Sequence, residues 1–111
     1  MTDAVVVGSG PNGLAAAVAL ATEGYAVTVL EAAPTIGGGT RSIELTVPGV
    51  LHDVCSAIHP FGVGSPYLST LPLAEHGLSW AWPEVDLAHV VGGDRAGVML
   101  RSIEDTAAGR A

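Results

Sequence analysis

Residues 5–31 read VVVGSGPNGLAAAVALATEGYAVTVLE and carry the strongest structural signal in the chain. The three valines predict a short strand, the alanine-rich run predicts a helix, and Val27 to Leu30 predict a second strand. The glycines after the first strand have the GxGxxG spacing of dinucleotide-binding turns. This order predicts an α/β protein that contains a Rossmann-like βαβ unit.

The first glycine turn (Gly8–Gly13) has a separate role for each of its glycines. Gly8 permits the tight turn, Gly10 lets the backbone approach a pyrophosphate, and Gly13 lets the helix pack closely on the strand. The helix start at Pro11-Asn12-Gly13 then offers amides and a positive dipole end to the phosphates of FAD or NAD(P). The alternative interpretation is a strand, turn and helix with incidental glycines.

An acidic residue closes the second strand. Glu31 follows Gly13 by 18 residues, close to the position from which a carboxylate accepts hydrogen bonds from a ribose. Because a negative charge there repels a 2′-phosphate, NADP is the least favoured of the candidate nucleotides.

A second glycine cluster bears on the choice between FAD and NAD. Residues 34–42 read PTIGGGTRS, and a plain nicotinamide domain has no need of such a cluster six residues past its ribose acid. We name Gly37–Arg41 the paired-glycine loop. A flexible surface loop is the alternative, since glycine-rich segments are often only that.

The two motifs together resemble those of the flavin amine oxidase and phytoene (carotenoid) desaturase superfamily. The similar branch includes phytoene dehydrogenase-related proteins and pyridine nucleotide-disulfide oxidoreductase domain proteins. Gly37-Gly38 fall on the paired glycines of that family, whose backbone passes close to the flavin diphosphate. Relatives often carry Arg directly after the pair, whereas this chain has Gly39 there and Arg41 two residues later. Weaker similarity continues in GVLHD at 49–53, which resembles the strand that enters the substrate half of these flavoproteins, and in EHGLSW at 75–80.

The resemblance implies a flavoprotein that oxidises a C–C or C–N bond of a small apolar or amine substrate by hydride transfer to FAD. No side chain is an obvious acid, base or nucleophile, so the catalytic residues are unknown. The alternative is a nucleotide-binding module, for NAD or FAD, without catalysis. The residues predicted to bind the cofactor are Gly8, Gly10, Pro11, Asn12, Gly13, Glu31, Ala32, Gly37, Gly38, Gly39, Thr40 and Arg41.

The chain has 111 residues, whereas members of that superfamily have several hundred. We therefore expect an N-terminal part whose partner is the remaining C-terminal portion of the same protein. Residues 1–47 would form the FAD-binding βαβ unit with the paired-glycine loop, and residues 48–111 the start of an α+β substrate domain. The isolated chain is expected to be inactive.

Composition narrows the possible partners. The net charge is −7, with four Arg and no Lys, which argues against nucleic acid and anionic lipid surfaces as partners. The longest apolar run, Leu14 to Ala21, is too short to span a membrane and predicts a helix buried on several sides. No positively charged leader precedes an apolar stretch, so a cytoplasmic location is expected.

A single cysteine excludes the dithiol chemistry of disulfide oxidoreductases. Cys55 is expected to be a small buried residue rather than a nucleophile. His52, Asp53 and His59 lie near it in sequence, but their spacing fits none of the usual zinc patterns, so no metal site is expected.

The second half of the sequence predicts short elements. A loop is expected over 61–64, a helix over 67–71 capped by Ser65, and another over 73–76 that ends at Gly77. Residues 78–82 predict a strand that places Trp80 and Trp82 on one side, either in a substrate pocket or in an ordinary core. A hairpin of 87–91 with 98–101, joined by a rather long loop, and a helix from Ser102 to the chain end complete the prediction.

Overall fold

The computed structural model describes residues 3–109. Contacts divide the chain after Leu73 into two compact units. The predicted division near residue 47 concerns function and stays a prediction. The strands are β1 (Asp3–Val7), β2 (Ala26–Leu30), β3 (Ser42–Glu44), β4 (Leu51–Asp53), β5 (Leu87–Gly92) and β6 (Arg95–Met99); the α-helices are α1 (Pro11–Thr22), α2 (Pro60–Gly64) and α3 (Ile103–Ala107); and 3₁₀ turns cover Gly38–Thr40, Leu68–Thr70 and Leu73–His76.

The β1 and β2 strands pair in parallel, from Asp3 opposite Ala26 to Val7 opposite Leu30. The α1 helix connects them and packs on both. Proline at its first position and the run of alanines favour this helix. Gly24 follows it at φ +90°, a conformation that lets the chain turn back toward β2. Both predicted strands and the helix between them are confirmed.

The α1 helix is less buried than predicted. Ala17 is its one buried residue, and Val18 is 42% exposed. The prediction of a helix covered on several sides is therefore wrong for the described residues. Its small apolar residues surround the helix on all sides, so their pattern does not separate the face that packs on the sheet from the face that is open.

A hairpin of β3 and β4 follows the paired-glycine loop. Ser42 pairs with Asp53 and Glu44 with Leu51 in an antiparallel ladder. The strand expected at 49–53 is present as β4, but its partner β3 was not predicted. Beyond β4, the amides of Val54 and Ser56 donate to the carbonyls of Arg41 and Gly39, each at 2.9 Å. The hairpin thereby extends to the loop and supports it.

Over residues 60–71 the structure differs from the predicted loop and from the length of the predicted helix. The prediction of a loop over 61–64 is wrong, because these residues belong to the α2 helix. Pro60 begins α2, and the His59 carbonyl accepts from the amides of Gly62 and Val63, which closes one helical turn. Ser65 caps the next turn as predicted, its hydroxyl accepting from the Leu68 amide at 3.2 Å. That turn is a 3₁₀ helix shorter than the predicted one.

The predicted helix over 73–76 is present as the 3₁₀ turn Leu73–His76, and Gly77 after it has φ +94°. No strand forms over 78–82 within residues 3–109, so that prediction is wrong. A strand requires a hydrogen-bonded neighbour, which the alternation of residue types does not supply. Trp80 and Trp82 nevertheless lie together, with ring centroids 6.4 Å apart, and the Arg101 guanidinium lies 3.5 Å over the Trp82 ring.

The hairpin of β5 and β6 is confirmed, but β6 begins at Arg95 and ends at Met99, so the loop is shorter and the second strand ends earlier than predicted. Gly92 already pairs with Arg95, and the register shifts between Val90 and Gly92. Positive φ angles at Gly92 and Gly93 allow this tight reversal. Ser102 caps α3 by accepting from the Asp105 amide at 3.1 Å. The α3 helix ends at Ala107, so the expectation that the chain ends inside it is wrong.

In the part of the chain that the structure describes, no helix has the length and apolar character needed to cross a membrane.

Candidate functional site

The first glycine turn begins with a backbone conformation that favours glycine. Gly8 has φ +93°, and its amide donates to the Leu30 carbonyl at 2.7 Å, which ties the turn to the end of β2. A Cβ atom at Gly8 would contact nothing within 4 Å, so the positive φ is what requires glycine there. This is the tight turn that the sequence predicts.

Gly13 is required for a different reason. A Cβ atom at Gly13 would lie 2.1 Å from the Gly8 carbonyl oxygen. Only a residue without a side chain allows α1 to approach the turn this closely. The close packing predicted for Gly13 is therefore present.

Gly10 lies at the N-cap of α1, and Pro11 begins the helix. Among the described residues, no side chain caps this end of the helix. The backbone of Gly10 is extended, with φ −70°. A Cβ atom added to Gly10 would lie 3.9 Å from the Cα atom of Gly38, which is an ordinary contact. Neither conformation nor packing requires glycine here, so a requirement for glycine would come from a ligand.

The paired-glycine loop packs directly on the first glycine turn. The Gly37 amide donates to the Ser9 carbonyl at 2.9 Å. A Cβ atom at Gly38 would lie 2.8 Å from the Cα atom of Gly10, closer than real Cβ atoms approach. Both glycines of the pair have positive φ, +111° and +56°. The first glycine turn and the paired-glycine loop are separate in sequence but are in direct contact in the structure.

Arg41 and Thr40 hold the paired-glycine loop from within. Arg41 Nε donates to the Gly38 carbonyl at 2.9 Å, and Thr40 Oγ1 donates to the Gly37 carbonyl at 2.7 Å. These bonds use the carbonyls of the pair, which fixes the conformation of the loop. The sequence left the role of Arg41 open, and this contact gives it a structural role.

Gly39 differs from its two neighbours in the loop. It has no positive φ, and a Cβ atom would lie 3.6 Å from the Cβ atom of Cys55, an ordinary contact. The loop therefore has room for a side chain at this position. Cys55 itself is exposed, so the expectation of a buried cysteine is wrong. Cys55 follows β4 and lies near Gly39 of the paired-glycine loop, where its side chain is exposed.

Glu31 is bound by the first glycine turn. The Ser9 amide donates to Glu31 Oε2 at 2.8 Å, and the Ser9 hydroxyl donates to the same oxygen. The Ala33 amide donates to Oε1, also at 2.8 Å. Ser9 is fully buried, with no exposed surface. The acid at the end of β2 is thus oriented by three hydrogen bonds.

These contacts lower the pKa of Glu31 from 4.5 to about 2. The Ser9 hydroxyl has the largest effect, followed by the Ala33 amide and the Ser9 amide, while the positive charge of Arg41 adds a smaller one. Each stabilises the carboxylate relative to the acid. Glu31 is therefore ionised at neutral pH, and an ionised carboxylate only accepts hydrogen bonds, which suits it to bind hydroxyl groups.

The structure brings most of the predicted residues together. The contacts above link six of them: Gly8, Gly10, Gly13, Glu31, Gly37 and Gly38. Arg41 and Thr40 hold the paired-glycine loop. The exposed surface of the same segments carries the other four: Pro11, Asn12, Ala32 and Gly39.

The sequence did not identify Ser9 as a residue of the site. A hydroxyl residue inside the glycine turn, followed by an acid at the end of the next strand, is the signal that points to it. Among residues 3–109, no group of three or more His, Cys, Asp or Glu is placed to hold a metal ion.

Comparison with protein families matches residues 6–71 to the NAD(P)-binding Rossmann-like domain. The chain belongs to this family. The match covers both glycine motifs and Glu31, and NAD(P)-binding domains of this family are typical of oxidoreductases. Comparisons with curated proteins and with solved structures gave no match.

The residues of this site suit a dinucleotide. The uncapped start of α1 suits a phosphate, because helix N-termini carry free amides and positive partial charge. Glu31 supplies an ionised acceptor for a ribose hydroxyl. The backbone of Gly10 has room for a side chain, and hence for a ligand atom, on its open side.

Proposed function

We propose that this domain binds FAD and serves a flavin-dependent oxidoreductase of the phytoene desaturase and flavin amine oxidase type. The observation that carries the proposal is the hydrogen bond between the Gly37 amide and the Ser9 carbonyl, with Gly38 packed against Gly10. The family to which the chain belongs also occurs in flavin amine oxidase and desaturase-type proteins.

The packing of the two loops favours FAD for a physical reason. A nicotinamide domain needs only the first glycine turn and the ribose acid. Here a second glycine segment, with a backbone free of Cβ atoms, lies against the first. Its position beside Gly10 puts both segments next to the helix end that suits a diphosphate. An extra segment at this place is what the paired-glycine motif of flavoproteins supplies.

Each residue has a defined task in this proposal. Glu31 accepts a ribose hydroxyl, the start of α1 and the glycine backbones bind the diphosphate, and Arg41 keeps the paired-glycine loop in shape. When bound, FAD would supply the hydride acceptor for oxidising a C–C or C–N bond of a small apolar or amine substrate: a carbon of that bond loses a hydride to the flavin, and the neighbouring carbon or nitrogen loses a proton. The net charge of −7 disfavours nucleic acid as a partner, and we propose a cytoplasmic location.

The test compares FAD, NAD and FMN as ligands of the chain by equilibrium dialysis. FMN is the matched control, because it shares the flavin with FAD but lacks the adenosine ribose and the diphosphate. The proposal expects FAD to bind more tightly than NAD, and FMN to bind weakest. FMN binding as tight as that of FAD would show that the ribose and diphosphate contacts do not operate.

A nucleotide-binding module for NAD or FAD without catalysis is the second candidate, and the NAD(P) in the description of the family favours NAD as its ligand. NAD binding tighter than FAD binding would support this candidate over the first. In either case the ionised Glu31 disfavours NADP, because the carboxylate and the 2′-phosphate, both negatively charged, would meet at the ribose. Binding of none of these dinucleotides would reject both candidates.

A further inference from the structure

Ser9 is the one fully buried polar residue of the described chain. A buried hydroxyl without a partner destabilises a protein, so the place where it donates its proton is informative. The Ser9 hydroxyl donates to Glu31 Oε2 rather than to a backbone carbonyl of its own turn. It thereby connects the first glycine turn to the ribose-binding acid of the proposed function.

The three donors to Glu31 are distributed unevenly over its two oxygens. Oε2 accepts from both the amide and the hydroxyl of Ser9, whereas Oε1 accepts only from the Ala33 amide among the described residues. An ionised carboxylate has about four acceptor positions, two on each oxygen. Oε2 is therefore saturated, and Oε1 keeps one position for a ligand.

We propose that Ser9 is a positioning residue: its buried hydroxyl holds the Glu31 carboxylate in one orientation, with Oε1 left to accept a ribose hydroxyl. This inference rests on the proposed function, because it takes Glu31 as the ribose-binding acid. Ser9 touches the acid and, through its carbonyl, the Gly37 amide. It therefore links the ribose acid to both glycine segments without touching the ligand.

The surroundings of Glu31 allow the hydroxyl to be tested alone. Arg41 of the paired-glycine loop is the charged group that acts on Glu31, and the donors from Ser9 and Ala33 are uncharged. Replacing Ser9 by alanine removes the hydroxyl but keeps the amide that binds Oε2 and the carbonyl that binds Gly37. The change is small in volume, and Arg41 is unaltered.

The experiment follows the Glu31 side-chain carboxyl by ¹³C NMR through a pH titration of the ligand-free chain. We compare the wild-type protein with Ser9→Ala and with Ser9→Cys, which is similar in size but a poor donor. Ser42→Ala is the matched control, because Ser42 also donates to a carboxylate, Asp53 Oδ1, at 2.8 Å, outside the site. Circular dichroism checks that each variant is folded.

The wild-type titration midpoint should lie far below 4.5, and Ser9→Ala and Ser9→Cys should raise it toward that value. FAD affinity at pH 7 should fall about tenfold in both, since a charge-assisted hydrogen bond no longer orients the acid. Ser42→Ala should change neither quantity. A wild-type midpoint near 4.5, or an unchanged midpoint in folded Ser9→Ala or Ser9→Cys, would overturn the inference. So would a raised midpoint with unchanged FAD affinity.

The two proposals fail in different ways. Lack of FAD binding by the wild-type chain would reject the proposed function, and the titration needs no ligand. An unaltered Glu31 titration with normal FAD binding would reject the role of Ser9 alone.

Discussion

Gly38 and Gly10 meet backbone against backbone, and a Cβ atom at Gly38 would lie 2.8 Å from the Cα atom of Gly10. The residues come from different glycine motifs, and the second motif packs on the first through this contact. Gly38 also has φ +56°. Glycine at 38 is therefore needed both for the backbone conformation and for the approach of the two segments.

We predict that Gly38→Ala destabilises the domain by about 1 to 3 kcal/mol, because the added methyl group clashes with backbone and the backbone is strained. Urea unfolding measures the change. Gly39→Ala is the control, since its Cβ atom would make only an ordinary contact with Cys55. Equal stability of both variants would mean that the two glycine segments do not pack as described.

Gly10→Ala should behave differently from Gly38→Ala. Its backbone is extended and its Cβ atom has room, so the variant should unfold at the wild-type urea concentration. FAD affinity should fall about tenfold or more, because the methyl group occupies the approach to the diphosphate. Gly64→Ala also adds a methyl group in open space and should leave both properties unchanged. Wild-type FAD affinity in Gly10→Ala would place the diphosphate elsewhere.

Gly13→Ala tests the packing of α1 on the turn. With only 2.1 Å between the new Cβ atom and the Gly8 carbonyl oxygen, helix or turn has to move. We expect a loss of about 1 to 3 kcal/mol in the free energy of unfolding, measured with urea. A variant as stable as the wild type would show that the helix lies farther from the turn.

The sequence predicted the elements of this site better than their contacts. Valine runs identify β1 and β2, the glycine spacing identifies the turn, and these signals are local. The bond from Gly37 to Ser9 depends on how two distant segments fold together, and no local pattern encodes it. The same limit explains the missed Ser9, whose partner Glu31 lies at the end of another strand.

Outside the site, the wrong predictions also come from structural context that residue type alone does not specify. Residues 78–82 have the alternation of a strand but no neighbouring strand among the described residues. The segment at 61–64 contains glycines that suggest a loop, yet Pro60 begins a helical turn there. Burial of Cys55 and of α1 was inferred from residue type, whereas burial depends on what packs against a residue.

The pKa of Glu31 gives stability a pH dependence of defined sign. The folded-state pKa, about 2, lies below the ordinary value of 4.5, so the contribution of Glu31 is fully present above pH 4.5. It is lost progressively as the pH falls toward 2, because the unfolded chain then binds a proton that the folded chain does not. The stability difference between the wild type and Glu31→Gln in urea should therefore be larger at pH 7 than at pH 3. A difference that does not shrink at pH 3 would contradict the low pKa.

We propose that the two glycine segments form one binding site for the diphosphate of FAD. Amide chemical-shift mapping of the ¹⁵N-labelled chain with added FAD tests whether both segments bind the same ligand. A shared site predicts large shifts of the amides of Gly10, Gly13, Gly37 and Gly38 in the same titration, with one common affinity. Shifts confined to the first glycine turn, with Gly37 and Gly38 unaffected, would contradict it.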